Sequence, residues 1–348
     1  MNETQRLARL SERKLAALEA LKKSLLHQAF TGELQFMRNY YRVMLGKKSV
    51  FAEECFNGNF IGVDFGIEQD LTNRLPEEWR AFNKEFIPFF LMARPEKTKI
   101  GAGLACGALW TVCKGIQKGD TVLCPDGKGS YRVAEVVGDY YYEPGPSLCH
   151  RRKVRWMDAV ISRSDMSEGL QNSAGVPLTV VGPPAITNYR QEIENLIGNV
   201  HSPMPVLIGG AEFEDVSSFA LEKHLEDFLV ENWSQTELGQ DFEIYNEDGE
   251  PFGKQYPTDT GPLDILAISK DKKRLLVVEL KKGRASDAVV GQTLRYMGFV
   301  RDELAEEGQT VQGVIIAHED DQRIRRALSM TPGITFYLYQ VSFKLVKA

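Results

Sequence analysis

The chain has 348 residues, 43% hydrophobic and 26% charged, with a formal net charge of −6. That is the composition of globular domains with apolar cores, and the length calls for two or three of them. No apolar stretch nears the ~18 residues that span a bilayer, and the start carries no signal-peptide core, so a cytoplasmic protein without membrane contact is expected.

The charge is uneven: residues 1–34 carry +2, residues 35–210 carry +1 and residues 211–348 carry −9. An acidic segment of that kind meets nucleic acid only with divalent cations to bridge it to phosphates. The five cysteines are odd in number and make no C-x-x-C pair, which predicts reduced thiols rather than a disulfide or zinc framework.

Residues 1–34 read as one amphipathic helix. Leu18, Leu21 and Leu25 follow three- and four-residue steps, and Gly32 ends the stripe. Such a stripe needs a partner, either another helix of this chain or another subunit. In residues 35–187, short β-like runs such as "DTVLCPD", "SYRVAEVVGDYYYE", "KVRWMDAVI" and "PLTVVG" alternate with Gly/Pro/Asp turns. They predict a small, strongly bent sheet, preceded by a helix around Glu77 to Arg94. "GAGLACG" lacks the lysine of a phosphate loop and reads as a turn with close packing. Aromatics (Trp110, Tyr131, Tyr140, Tyr141, Tyr142, Trp156) interleave with His150, Arg151, Arg152, Lys153 and Arg155. Rings that stack on bases beside cations that hold phosphates are the composition of a nucleic-acid groove, although a β-core with buried aromatics has the same letters. Trp110, Tyr141 and Trp156 are the candidates for a base pocket.

Residues 188–210 read as a linker in which "NYRQEIENLIG" can form a short helix. From Ala211 the pattern is αβββαβαβ-like: a helix over "SSFALEKHLEDFLVENW", then strands at "DFEIYN", "LDILAIS", "RLLVVELK", "VQGVIIAH" and "TFYLYQVSFKLV". Ser217 or Ser218 is the expected N-cap of that helix, with Phe219, Leu221, Leu225, Phe228 and Leu229 on one face. Further helices are expected between Asp287 and Glu306 and between Asp320 and Ser329.

The chemistry gathers in "GPLDILAISKDKKRLLVVELKKG", Gly261 to Gly283. Lys270 to Lys273 make a polar turn between two apolar runs, the mark of a β-hairpin. With Asp271 and Lys272 at the tip, Asp264 falls opposite Glu279, and strand alternation adds Lys281 to the same face. Two acids that close repel each other unless a cation stands between them. Carboxylate and carbonyl oxygens, the Leu280 carbonyl among them, suit Mg²⁺ or Mn²⁺. A surface ion pair of Glu279 with Lys281 or Lys282 is the plainer reading, but the strand is too apolar to leave acids unpaired. Gln292 and Tyr296 lie one helical turn apart downstream.

"GPLD", "ELK" and "GQTLRY" together resemble the PD-(D/E)XK nuclease superfamily, most closely the C-terminal catalytic domain of NucS-type endonucleases, over about residues 212–345. The resemblance implies a restriction-endonuclease-like α/β domain in which Asp264 and Glu279 bind metal, Lys281 assists the water, and Gln292 and Tyr296 complete the site. It also implies a glutamate from the first helix, Glu222 or Glu226, with Glu222 slightly preferred. The middle of the chain resembles a PUA-like (EVE-related) barrel, some relatives of which flip modified bases into an aromatic pocket. "LAALEALKKSLLHQAFTGEL", Leu15 to Leu34, resembles the C-terminal end of the specificity subunit of type I restriction systems.

The expected protein is therefore multidomain α+β: a helix over 1–34, a PUA-like β-barrel domain over 35–187, a linker over 188–210 and a nuclease domain over 211–348. The expected function is a Mg²⁺-dependent DNA endonuclease of a restriction or antiviral defence system, whose middle domain recognises modified DNA. It is expected as a homodimer, with residues 1–34 available to dock a restriction-system subunit. The alternatives are a NucS-like structure- or mismatch-specific repair enzyme and a non-catalytic DNA reader or accessory subunit.

Overall fold

The computed structural model describes residues 38–145, 147–198, 225–247, 249–320 and 322–340. The helix expected over 1–34, Glu222 and the N-cap serines lie outside the described residues. Two six-stranded sheets carry the fold.

The first sheet uses β1 (Tyr40–Val43), β2 (Phe60–Val63), β3 (Thr121–Pro125), β4 (Ser130–Tyr142), β5 (His150–Ser162) and β6 (Val180–Val181), in the order β2-β5-β4-β3-β1-β6. Its helices are α1 (Ala52–Gly58), α2 (Trp79–Ala93), α3 (Lys99–Trp110), α4 (Glu168–Gly175) and α5 (Arg190–Leu196). The expected barrel does not form: β2 and β6 end the order, and no closed barrel exists among the described residues. The reason lies in the side chains, which are apolar on both faces. Val43, Val122 and Cys124 point into a core with Phe82, Phe86 and Leu109 of α2 and α3. Tyr40 and Leu123 point the other way, into a core with Leu170 of α4 and Ile193 of α5. A sheet that alternates between two apolar layers takes helices on both sides. Residues 190–196, expected in a linker, instead bury Ile193 in this domain's core.

"GAGLACG", expected as a turn, lies inside α3. Its small residues form the face on which helices approach closely. Ala102, Ala105 and Cys106 are buried, and the Asn83 amide of α2 donates to the Gly103 carbonyl at 3.2 Å. The helix expected around Glu77 to Arg94 is α2, with Pro88 inside it.

The second sheet runs β12-β11-β10-β9-β7, with β8 also paired to β9. Its elements in chain order are α6 (225–231), α7 (Glu237–Asp241), β7 (Phe242–Ile244), β8 (Lys254–Tyr256), β9 (Leu263–Ser269) and β10 (Arg274–Arg284). They continue with α8 (Asp287–Phe299), β11 (Thr310–Glu319), α9 (Gln322–Ser329) and β12 (Ile334–Leu338). β9 and β10 are antiparallel, while β10, β11 and β12 are mutually parallel. Leu266 and Val277 pack under α8 with Tyr296 and Phe299, whereas Ile265, Leu276 and Val278 pack against Leu225 and Leu229 of α6. Each such side chain contributes about 1.5–3 kcal/mol when fully buried. Phe228, expected on the apolar face of α6, is instead 62% exposed.

The two domains meet through the start of α3. Ile100 sits in the core beneath α8, the Tyr256 hydroxyl donates to the Ile100 carbonyl at 3.4 Å, and Arg80 pairs with Asp259. All five cysteines are free and buried. Among the described residues no helix is long and apolar enough to cross a membrane.

Candidate active site of the C-terminal domain

The β9–β10 hairpin has the expected register. Its paired positions run from Ile268–Leu275 to Ile265–Val278, so Asp264 and Glu279 come next. The tip turns at Lys272, whose φ is 60° and whose amide donates to the Ser269 carbonyl at 2.7 Å. The Asp264 carboxylate crosses to β10, where Oδ2 accepts the Leu280 amide at 2.7 Å. Glu279 is 2% exposed, and the Lys281 ammonium stands 3.3 Å from its Oε1. Alternation along β10 explains this pair: Leu275, Val277, Glu279 and Lys281 share one face, which α8 covers.

Tyr296 on α8 completes that face. Its hydroxyl donates to the Pro262 carbonyl at 3.0 Å and accepts from the Gln292 amide at 3.3 Å. Gly261 just before has a φ of 118°, a conformation that glycine adopts without strain. Burial pushes the Tyr296 hydroxyl above its ordinary pKa, and the negative charges of Glu279 and Asp264 add to the rise while Lys281 opposes it. Tyr296 thus bonds Gln292 directly, and its hydroxyl feels the charges of Asp264, Glu279 and Lys281.

The third acid comes from α6. Glu226 is 5% exposed, and its carboxyl is pushed up to about 8, first by burial and then by the charge of Asp264. Its Oε2 accepts the Gln255 amide at 2.9 Å, and the same amide reaches Asp264 Oδ1 at 3.3 Å. Among the described residues nothing hydrogen-bonds to Glu226 Oε1. Gln255 was not foreseen from the sequence. It lies in the three-residue β8, between the pairs Lys254–Ile265 and Tyr256–Leu263, which sets it opposite Asp264. Its φ of 50° is unusual for a residue with a side chain, and such backbone strain concentrates at functional sites. No periodicity marks so short a strand, so only the sheet pairing reveals it.

Among the described residues no three His, Cys, Asp or Glu side chains stand at metal-coordinating spacing. The donor set nevertheless suits a hard divalent cation: carboxylates only, one with a buried oxygen that lacks a donor, and two drawn together by a shared amide.

The middle domain distributes its candidates differently. Arg152 is 5% exposed, and its guanidinium donates to the carbonyls of Val112 at 2.6 Å, Cys113 at 2.8 Å and Gly138 at 3.3 Å. It holds the end of the helical run after α3, with these donors spent on main-chain carbonyls. Arg151 lies 4.0 Å over the Phe60 ring and donates to the Leu148 carbonyl at 2.8 Å. Arg155 donates to Glu135 at 2.5 Å, and Lys153 is exposed. Trp156 meets Phe56 edge-on at 4.9 Å, while the Trp110 indole donates to the Pro76 carbonyl at 2.9 Å. Tyr141 lies beside Lys153, whose ammonium is 6.0 Å from its ring centre. Trp110 lines a cleft of about 1110 Å³ that runs from Tyr41 to Tyr256 and Phe299. Tyr141 and Trp156 are not among its walls, so the three aromatics do not gather into one pocket.

Comparison with known proteins divides the chain at the same place. Residues 222–336 match the family model described as the endonuclease NucS C-terminal domain, and residues 41–176 match a domain of unknown function, DUF8426. The C-terminal part of the chain is thus a NucS-like nuclease domain. No curated protein matches the chain. Among solved structures, an EndoMS–double-stranded DNA complex is 16% identical, with a TM-score of 0.29, over 61% of this chain and 62% of that one. A repair endonuclease from Pyrococcus abyssi is also 16% identical, with a TM-score of 0.28, over 62% of this chain and 66% of that one. The chain therefore spans less than two thirds of either.

Proposed function

We propose that the chain is a divalent-cation-dependent DNA endonuclease of PD-(D/E)XK type, with its cutting site at Asp264, Glu279 and Lys281. The observation that carries this reading is the buried Glu279 with the half-buried Lys281 ammonium 3.3 Å from it, and an Asp264 tied to the Leu280 amide at 2.7 Å. Asp264 and Glu279, with the Leu280 carbonyl, would hold Mg²⁺ or Mn²⁺, which supplies a polarised phosphodiester and a water acidic enough to attack it. Lys281 orients that water and offsets the negative charge that grows on the phosphate. Glu226, rather than the slightly preferred Glu222, is the acid from the first helix, because its carboxyl is linked to Asp264 through Gln255. Tyr296 acts as a positioning residue: its bond to the Pro262 carbonyl holds the start of β9, and Gln292 holds Tyr296.

The middle domain selects the DNA, and residues 1–34 mediate docking to a restriction-system subunit or formation of a homodimer. Support for a defence role comes from the type I restriction resemblance of Leu15 to Leu34. A second reading, a structure- or mismatch-specific repair nuclease, is favoured by the NucS match over residues 222–336. One plasmid prepared unmodified, cytosine-methylated, hydroxymethylated and phosphorothioated, incubated with Mg²⁺ or Mn²⁺, separates them. Cutting of a single preparation, lost in Asp264→Ala, supports the defence role and names the mark. Cutting only of a mismatched duplex supports repair. If wild-type protein leaves every substrate intact, the nuclease reading fails.

A further inference from the structure

Three consecutive residues of β8 reach three different elements. The Lys254 ammonium pairs with Asp227 of α6, the residue after Glu226. The Gln255 amide donates to Glu226 Oε2 at 2.9 Å and to Asp264 Oδ1 at 3.3 Å, one N–H for each acid. Tyr256 is 2% exposed and donates its hydroxyl to the Ile100 carbonyl of α3 at 3.4 Å. One short strand thus touches both the candidate cutting site and the middle domain. The seat on α3 is the glycine run "GAGLACG". A Cβ at Gly101 would stand 1.9 Å from the Glu247 carboxylate, so only bare backbone lets Glu247 lie there. Glu247 accepts from the Tyr245 hydroxyl at 2.6 Å, and that hydroxyl shares a hydrogen bond with Thr98 Oγ1 at 2.5 Å. Thr98 in turn caps α3 by accepting the Gly101 amide at 3.1 Å. The Tyr245 carbonyl accepts the amide of Gly253, the residue before β8, at 2.8 Å. β8 is therefore tied to α3 at both ends, through Tyr245 at its start and Tyr256 at its finish.

We propose that Gln255 is a positioning residue for the cation-binding acids of the cutting site, and that α3 of the middle domain holds it in place through Tyr256. The inference rests on the nuclease reading of Asp264, Glu279 and Lys281. Glu226 and Asp264 come from separate elements, and like charges at close range push apart. An amide that donates to one oxygen of each carboxylate fixes both their spacing and their orientation. Hydrogen-bond partners of this kind tune how well the groups they hold bind a metal. Gln255 has a φ of 50°, which a residue with a side chain keeps only where its surroundings enforce it. Tyr256 supplies that enforcement. Its ring lies in one core with Ile100 of α3 and with Leu263 and Leu266 of β9, so β8 cannot relax without leaving both. The middle domain therefore contributes to cutting as well as to target choice: its α3 sets the cation affinity of a site built from the other domain's side chains.

The test is Mn²⁺ binding to full-length, chelator-treated protein without DNA, read from the electron paramagnetic resonance signal of the free ion. Gln255→Met keeps the side chain's length but has no N–H, and it is expected to weaken Mn²⁺ binding about 10–100-fold. Tyr256→Leu leaves Gln255 in place and is expected to weaken binding about tenfold, at the lower end of that range. Tyr256→Phe keeps the ring and is expected to recover most of the loss. Plasmid cleavage by Gln255→Met is expected to fall at low Mn²⁺ and to return as Mn²⁺ is raised, with KM for DNA unchanged. A purely structural role would lower Tm and leave the Mn²⁺ titration where it was. Wild-type Mn²⁺ affinity in either Gln255→Met or Tyr256→Leu, with far-UV circular dichroism intact, overturns the proposal while wild-type protein still binds Mn²⁺ and cuts DNA. If wild-type protein binds no Mn²⁺ and cuts no DNA, it is the nuclease reading that fails.

Discussion

In the first sheet Arg42 and Arg152 are 0% and 5% exposed, and both end on main-chain carbonyls. In the second sheet Glu279 is as deeply buried, but its partner is another side chain, Lys281, which is itself 22% exposed. The first arrangement consumes a charge: every N–H of Arg152 that bonds a carbonyl is unavailable to a phosphate. The second stores one, because the Glu279–Lys281 pair lies beside Asp264 and within reach of solvent. The lesson concerns which signals predict function. A cluster of arginines and aromatics is a statement about composition, and packing can absorb all of it. An acid opposite an acid with a lysine one pleat away is a statement about geometry, and a strand cannot rearrange it.

The comparison breaks first at the stored charges. Lys281→Met is expected to lower the cleavage rate by about 10²–10³, the cost of losing one electrostatic contact to the transition state, with the fold unchanged. Initial rates on plasmid together with thermal melts check this; full activity in the folded variant would return Glu279–Lys281 to a structural ion pair. Arg152→Met tests the other side. It leaves the Val112 and Cys113 carbonyls without donors and is expected to cost about 2–4 kcal/mol of stability. The salt slope of DNA binding by the folded fraction is expected to stay the same, and a drop of one unit would place Arg152 on the DNA after all.

A further comparison concerns Glu226. A carboxyl raised to about 8 holds its proton more tightly folded than unfolded. Its contribution is complete below the ordinary carboxylate range and is lost as pH rises toward that value. Chelator-treated protein is therefore expected to lose Tm between about pH 5 and pH 8, at about 2–4 °C for each kcal/mol lost. Glu226→Gln is expected to flatten that slope, and melts of the two proteins across this range compare them directly.

Much of the candidate site's geometry is legible in the sequence. The polar turn at Lys270 to Lys273 placed Asp264 opposite Glu279, and the period of two placed Lys281 beside them, because hairpin register depends on neighbours close in the chain. Apolar runs likewise marked β9, β10 and β11, and the four-residue step from Gln292 to Tyr296 became the bond between them. What tertiary structure alone decided involves partners distant in sequence. Gln255 enters the site because a three-residue strand pairs with β9, and Glu226 is buried alongside Leu225 and Leu229 because α6 packs on the sheet. "GAGLACG" became a helix because α2 offers its small residues a close face, which outweighs glycine's weak helix preference. The first sheet stayed open because helices cover both its apolar faces. A sequence records which side chains alternate along a strand, but whether a second face meets solvent or another helix depends on the rest of the chain.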